Sequence, residues 1–184
     1  MAIFFSYCEE DAELVHRVFL ILSRMHLNPY AYMLYPEPGE FIPEVVVRQI
    51  STSNYFVPFL TQSGVQSQWV NQEIGVAHAL RKYVIPVVEI GVESRGFVEF
   101  REHIKHDPFN SEQTIFELIW RLRTLLNPTS IDVKCPQCGH EFVSQLPSLE
   151  LTAKAIGNGQ VFVVDCPSCG LSLSTNPRTQ ELIL

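Results

Sequence analysis

The chain has 184 residues, 46% of them hydrophobic and 18% charged, with a net charge of −7. That length holds one ordinary domain, or one domain and a small module, and is enough to bury a sizeable core. The acidic balance argues against a general nucleic-acid or anionic-membrane role, and no apolar run reaches the ~18–20 residues that span a bilayer.

Met1-Ala2 leads straight into a strand-like run with no basic segment ahead of it, so no signal peptide is expected. Four of the five cysteines lie in two C-x-x-C motifs, which favours a reducing, cytoplasmic compartment and metal over disulfides.

Ile3-Phe4-Phe5-Ser6 is a short apolar run that suits a buried parallel strand. Tyr7-Cys8-Glu9-Glu10-Asp11 reads as a polar loop whose acidic end opens a helix, with Cys8 a plain small hydrophobe. Leu14, Val18, Ile21, Leu22 and Met25 then recur at three and four residues, one apolar stripe, and Asn28-Pro29 closes that helix. Tyr30 to Met33 reads as a second strand. Tyr35-Pro36-Glu37-Pro38-Gly39-Glu40 is a stiff loop, because two prolines fix φ and Gly39 permits what they do not. Val45, Val46 and Ile50 indicate a short helix after Pro43. Tyr55 to Leu60 is the next strand, weakened by Pro58, which lacks a ladder donor.

A helix capped by Ser67 follows and runs to about Arg81-Lys82, whose charges suit a helix C-terminus. Tyr83 to Val88 reads as one strand. The segment 89–107 is mixed, with Phe97, Phe100 and Ile104 hinting at a short helix. Ser111 caps a last helix striped by Ile115, Leu118, Ile119, Leu122 and Leu126. Strand and helix alternate throughout, which predicts an α/β fold: an open, flavodoxin-like parallel sheet with helices on both faces. Such sheets bind ligands outside the carboxyl ends of their strands. Phe5-Ser6-Tyr7, the Pro36–Gly39 loop and the start of the Ser67-capped helix all belong to that edge.

On that helix Trp69, Glu73 and Ala77 are four residues apart and share a face. Glu is seldom buried without a partner, so a carboxylate beside an indole and small residues suits a pocket wall. An ordinary solvated glutamate fits the same periodicity. Four boxes in order resemble the Toll/interleukin-1 receptor (TIR) family: Phe5-Ser6-Tyr7 with Glu10-Asp11, the Glu37-Pro38-Gly39 loop tip, Ser67-x-Trp69-Val70-x-x-Glu73-Ile74, and Ile85-Pro86-Val87. The resemblance covers roughly residues 1–126. The loop lacks the Arg-Asp pair common before its Pro-Gly in that family, and no G-x-G-x-x-G or Walker lysine is present.

The resemblance implies a microbial stand-alone TIR enzyme that cleaves NAD, with Glu73 as the catalytic carboxylate. Nicotinamide leaves NAD as a neutral ring, so its departure needs no general acid, and the ribose gains oxocarbenium character. An ionised Glu73, expected near the ordinary pKa of about 4.3, would stabilise that charge. Phe5 and Ser6 would line the pocket, and Trp69 would stack on the nicotinamide or exclude water. The product is ADP-ribose if water attacks, or a cyclic isomer if the molecule's own adenine or ribose does. The resemblance also implies self-assembly through Pro36, Glu37, Pro38 and Gly39, and a role such as Thoeris-type anti-phage defence with a downstream effector sensing the product. A non-enzymatic TIR–TIR adaptor, or a mimic of host signalling, is the competing class, and a nucleoside-cleaving enzyme of similar fold a third.

Composition changes after Asn127-Pro128-Thr129-Ser130, which sets domains at 1–128 and 129–184. Cys135-Pro-Gln-Cys138-Gly139 and Cys166-Pro-Ser-Cys169-Gly170 are near-identical knuckles offering four thiolates to one structural zinc. Gly157-Asn158-Gly159 reads as a turn into a strand over 160–164, as in a zinc ribbon, and so small a module needs such a staple. His140 adjoins a complete ligand set and is read as a bystander. A redox dithiol and disulfides are the alternatives. From Thr129 onward acids outnumber bases, so a protein-contact or structural role is favoured over nucleic acid.

Overall fold

The computed structural model describes residues 2–32, 42–93, 96–99 and 101–183. The chain divides into two compact units, Met1–Phe19 with Asn28–Ile115, and Leu20–Leu27 with Phe116–Leu184. Among the described residues, no helix is long and apolar enough to cross a membrane.

The first unit is built on a six-stranded sheet: β1 (Ala2–Ser6), β2 (Asn28–Tyr30), β3 (Tyr55–Leu60), β4 (Tyr83–Val84), β5 (Val87–Glu89) and β6 (Ile104–His106). Its order is β2-β1-β3-β5-β6, with β4 also on β3, and every pairing is parallel. The helices are α1 (Ala12–Arg24), α2 (Ile42–Thr52), α3 (Gln68–Ala79) and α4 (Ser111–Leu126), of which α1 from Leu20 and α4 from Phe116 count with the second unit. This is the expected parallel sheet flanked by helices. The run at 3–6 is buried at every position, so it reads as continuous and not alternating.

Parity still divides the strand. Phe4 stacks on Phe56 at 5.7 Å and belongs to the cluster that takes in Val46 and Ile50 of α2 and Val70, Ile74 and Ala77 of α3. Phe5 faces the other way and meets Phe59 edge-on at 6.0 Å.

Several boundaries shift for local reasons. α1 ends at Arg24 because His26 takes φ 55, and Leu27 N–H returns to the Leu22 carbonyl at 3.1 Å. This is a left-handed cap, and it lets the second strand begin at Asn28, earlier than Tyr30. Arg81, with φ 53, closes α3 in the same way, through Lys82 N–H to Ala77 O at 2.9 Å, so the helix stops short of Arg81-Lys82. The single strand expected at 83–88 is two. They are divided at Ile85-Pro86, where Ile85 N–H still donates to the Phe56 carbonyl at 2.9 Å but Pro86 has no N–H to give; β4 pairs with Tyr55 and Phe56, and β5 with Phe59 and Leu60. Pro58 is accommodated in β3, opposite Ser6. The Pro36, Glu37, Pro38 and Gly39 loop lies outside the described residues.

The second unit holds two antiparallel hairpins, β7 (Ser130–Lys134) with β8 (Glu141–Gln145), and β9 (Phe162–Asp165) with β10 (Ser172–Thr175). Between them runs α5 (Leu149–Gly157), which the sequence reading did not anticipate. Ser148 caps it, accepting from Leu151 N–H at 3.2 Å. Gly159, at φ 64, ends it, so the glycine pair is a helix exit as well as a turn into a strand. Val161 and Val163 are exposed on the module's surface.

Candidate active site and metal centre

α3 starts where its sequence sets a firm N-terminus. Ser67 Oγ accepts Val70 N–H at 3.3 Å, and the Asn71 amide donates to the Ser67 and Val65 carbonyls at 2.8 and 3.0 Å. The helix then sends Val70, Ile74 and Ala77 into the core. Glu73 lies on that same side and is only 5% exposed. Trp69, one turn earlier, packs half-buried against the core cluster. β1 ends on the same face at Ser6, whose hydroxyl is buried.

Desolvation pushes the Glu73 carboxyl up to about 7, and the Ser6 hydroxyl and Trp69 side chain pull it part of the way back. Ser6 Oγ falls short of full hydrogen-bond geometry to any acceptor, so its effect is that of a nearby dipole. The expectation of an ordinary carboxylate near 4.3 therefore gives way to one that burial raises to about 7.

Ser6, Trp69 and Glu73 come together. Phe5 does not join them, because neighbouring strand residues point to opposite faces and its ring is on the Phe59 side. Phe4 occupies the Glu73 side, stacked between Phe56 and Tyr30, with the Tyr30 ring at 5.6 Å. The period of two carried that signal in the sequence.

A second polar cluster, passed over in the sequence, lies at the carboxyl ends of β1, β3, β5 and β6. It borders a cavity of about 350 Å³ lined in part by Glu10, Asp11, Glu89 and His106. Asp11 is buried and accepts from Thr61 Oγ1 and from the Cys8 thiol, each at 3.0 Å. Burial raises its pKa against these donors and against the charge of His106. The same burial, with Asp11 beside it, pushes the Cys8 thiol up to about 12. Cys8 is thus a neutral hydrogen-bond donor and not a plain hydrophobe. His106 is held by Thr114 Oγ1 at 2.9 Å from its Nδ1.

In the second unit each C-P-x-C-G turn closes at the tip of a hairpin. Gly139 and Gly170 both take φ 72, and each donates its N–H to the first cysteine's carbonyl at 2.9 Å. The Sγ atoms of Cys135, Cys138, Cys166 and Cys169 lie within 4.8 Å of one another. Cys135 to Cys169 and Cys138 to Cys166 are each 3.7 Å apart. Metal–thiolate bonds of about 2.3 Å would place tetrahedral sulfurs roughly 3.8 Å apart, so the cluster fits a four-thiolate ion. The Cys138 backbone N–H, and then that of Gln137, lower the Cys135 thiol to about 7, while, against the Leu171 backbone N–H, burial and the other three thiols push Cys169 up to about 12, so the four share their protons as one group. His140 stands outside the cluster and stacks on Phe142.

The search of curated proteins found no match. Among solved structures, the TIR domain of a Toll-related receptor from Hydra magnipapillata superposes with a TM-score of 0.54 at 16% identity, covering 65% of this chain and 94% of that one. A metazoan TIR-STING receptor from C. gigas, solved with 2',3'-cGAMP, gives 0.51 at 13% identity, covering 92% of this chain and 71% of that one. A Clostridium botulinum CMP N-glycosidase gives 0.49 at 15% identity, covering 65% of this chain and 99% of that one. For the two receptor structures, at these identities, the likeness is one of fold. The sequence model described as the TIR domain matches residues 3–115, most of the chain. The chain belongs to the TIR domain family.

Proposed function

We propose that the TIR unit is an NAD glycohydrolase or cyclase that breaks the nicotinamide–ribose bond, with Glu73 as its catalytic residue. The observation that carries this reading is a buried carboxylate held at about 7 beside Ser6 and Trp69 at the sheet's carboxyl edge. The C1'–N bond breaks with its electron pair going to the nicotinamide nitrogen, which leaves neutral. The ionised Glu73 offsets the positive charge gathering on the ribose. When water attacks C1', Glu73 takes up its proton, and a base poised near neutral pH suits that step. The products are then nicotinamide and ADP-ribose; attack by a nucleophile within the molecule gives a cyclic isomer instead.

Near-complete burial of Glu73 favours a second reading, a non-enzymatic TIR interaction module, since a closed carboxylate meets no substrate. The catalytic reading accommodates that burial if copies self-assemble through the 36–39 loop and the assembled form opens the site. Activity per molecule then rises with protein concentration. The four cysteines hold a structural zinc: four thiolates fill its tetrahedral shell and leave no open position for water. We assign the protein to the cytoplasm and the two parts to 1–128 and 129–184.

The deciding experiment incubates the purified full chain with NAD over a wide concentration series and resolves the products by mass. Nicotinamide release that disappears in Glu73→Gln supports catalysis. No release at any concentration of folded, assembled protein would refute it in favour of the interaction module.

A further inference from the structure

Among the described residues, the cysteine-bearing unit contains a buried positive charge with no carboxylate paired to it. Arg123, near the end of α4, is 4% exposed. Its guanidinium stays protonated at any ordinary pH, although burial pushes its pKa down. No carboxylate among the described residues pairs with it. Its partners are Thr152 Oγ1 at 3.4 Å and the Pro147 carbonyl, both neutral. Arg24, the other desolvated arginine of this unit, has the charges of Glu181 and Asp132 beside it. Proteins rarely bury a charge without a counter-charge, because desolvation is then uncompensated.

Arg123 lines a cavity of about 300 Å³ with Asn127, Thr129, Gln145, Ser148 and Leu149 around it. No aspartate or glutamate is in that wall, unlike the acidic cavity of the first unit. One side is the N-terminus of α5. Its cap occupies the Leu151 N–H. The amide of Leu149, which lines the cavity, precedes the first helical hydrogen bond, with the positive end of the helix dipole behind it; Glu150, in the same first turn, is not part of the wall. A fixed guanidinium fork, a helix start and amide and hydroxyl side chains offer more donors than one carboxylate accepts, and they suit the several oxygens of a phosphate. The volume is at the lower end of small-molecule sites, which leaves room for a sugar-sized group on the phosphate.

We infer that this cavity binds the phosphate of a small phosphomonoester, with Arg123 as its counter-charge. The inference is independent of the NAD reading, since it uses neither Glu73 nor the first unit.

The test titrates the full-length, metal-loaded protein with ribose 5-phosphate, inorganic phosphate and ribose at constant ionic strength. Binding is read by calorimetry and by amide NMR shifts. Saturable binding of ribose 5-phosphate at one site per chain is expected, weaker binding of inorganic phosphate, and none of ribose, with the Ser148 and Leu149 amides shifting most. Arg123→Lys keeps the charge but loses the fork, and should weaken binding about tenfold or more. Should that variant fail to fold, Asn127→Gly serves in its place. Asn127 sits at φ 46, where glycine is at ease, so this change removes one donor and should weaken binding severalfold without lowering the melting temperature. No saturable binding to either phosphate probe would overturn the inference and reduce Arg123 to a tether for the Pro147 loop. Equal affinity for inorganic phosphate, or shifts confined to residues elsewhere, would overturn it too.

Discussion

Glu73 ties fold stability to pH with a predictable sign. Its carboxyl is held at about 7 against an ordinary 4.5, so the folded state binds this proton more tightly than the unfolded chain does. The stabilising contribution is fully present below about pH 4.5 and fades as pH rises through about 7, where the fold must bury a charge. The full swing is roughly 3 kcal/mol, a large fraction of a small domain's total stability. Glu73→Gln has nearly the shape of the protonated acid and never ionises. The variant should match the wild type near pH 4.5 and exceed it by a few kcal/mol near pH 8.5. Urea unfolding of both proteins at the two pH values measures this, with the same slope m confirming that the unfolding reaction is unchanged. A wild-type-to-variant difference that stays constant between the two pH values would show that Glu73 titrates as an exposed residue, and the closed site described here would be wrong.

The same substitution should remove NAD cleavage, by on the order of 10²–10³ or more in rate for a lost electrostatic group, measured as nicotinamide release. Because the Ser6 hydroxyl lowers the Glu73 pKa, Ser6→Ala should move the midpoint of the pH–rate profile upward; an unchanged midpoint would separate Ser6 from the carboxylate. Untreated protein should carry close to one equivalent of zinc by elemental analysis, and Cys135→Ser or chelation should melt the hairpin unit while the parallel-sheet unit keeps its own core. Zinc well below one equivalent, with no iron in its place, would refute the metal centre. Gly64→Ala should destabilise the first unit by about 1–3 kcal/mol, since a Cβ there would sit 2.2 Å from the Phe59 carbonyl oxygen; a wild-type melting temperature would show that the turn after β3 yields easily.

The chain's own order of residues carried the architecture a long way. Strands buried on both faces must be short apolar runs, and helices packed on them must repeat every three to four residues. Ile3–Ser6, Tyr55–Leu60 and the stripes of α1 and α4 therefore announced a parallel sheet flanked by helices. The two C-P-x-C-G turns were equally legible as one four-cysteine cluster, because each turn's spacing and glycine fold two thiols to the same side. The Ser67-Trp69-Glu73 box marked the family.

Other features depended on what packs around a residue. Nothing local distinguishes a glutamate at 4.5 from one at about 7; the difference is the desolvation supplied by β1 and the core beneath α3. The separation of Phe5 from Ser6 follows from strand parity once the strand's two faces have different neighbours. Where α1 and α3 end was decided by His26 and Arg81 taking left-handed conformations that neither side chain advertises. Arg123 reads in sequence as one more charge in a helix's last turns, and only the folding of the Pro147–Leu149 segment over it makes it a buried cation. Period and motif are properties of neighbours along the chain, whereas burial, and the pKa and charge balance that follow from it, are set by residues distant in sequence and close in space.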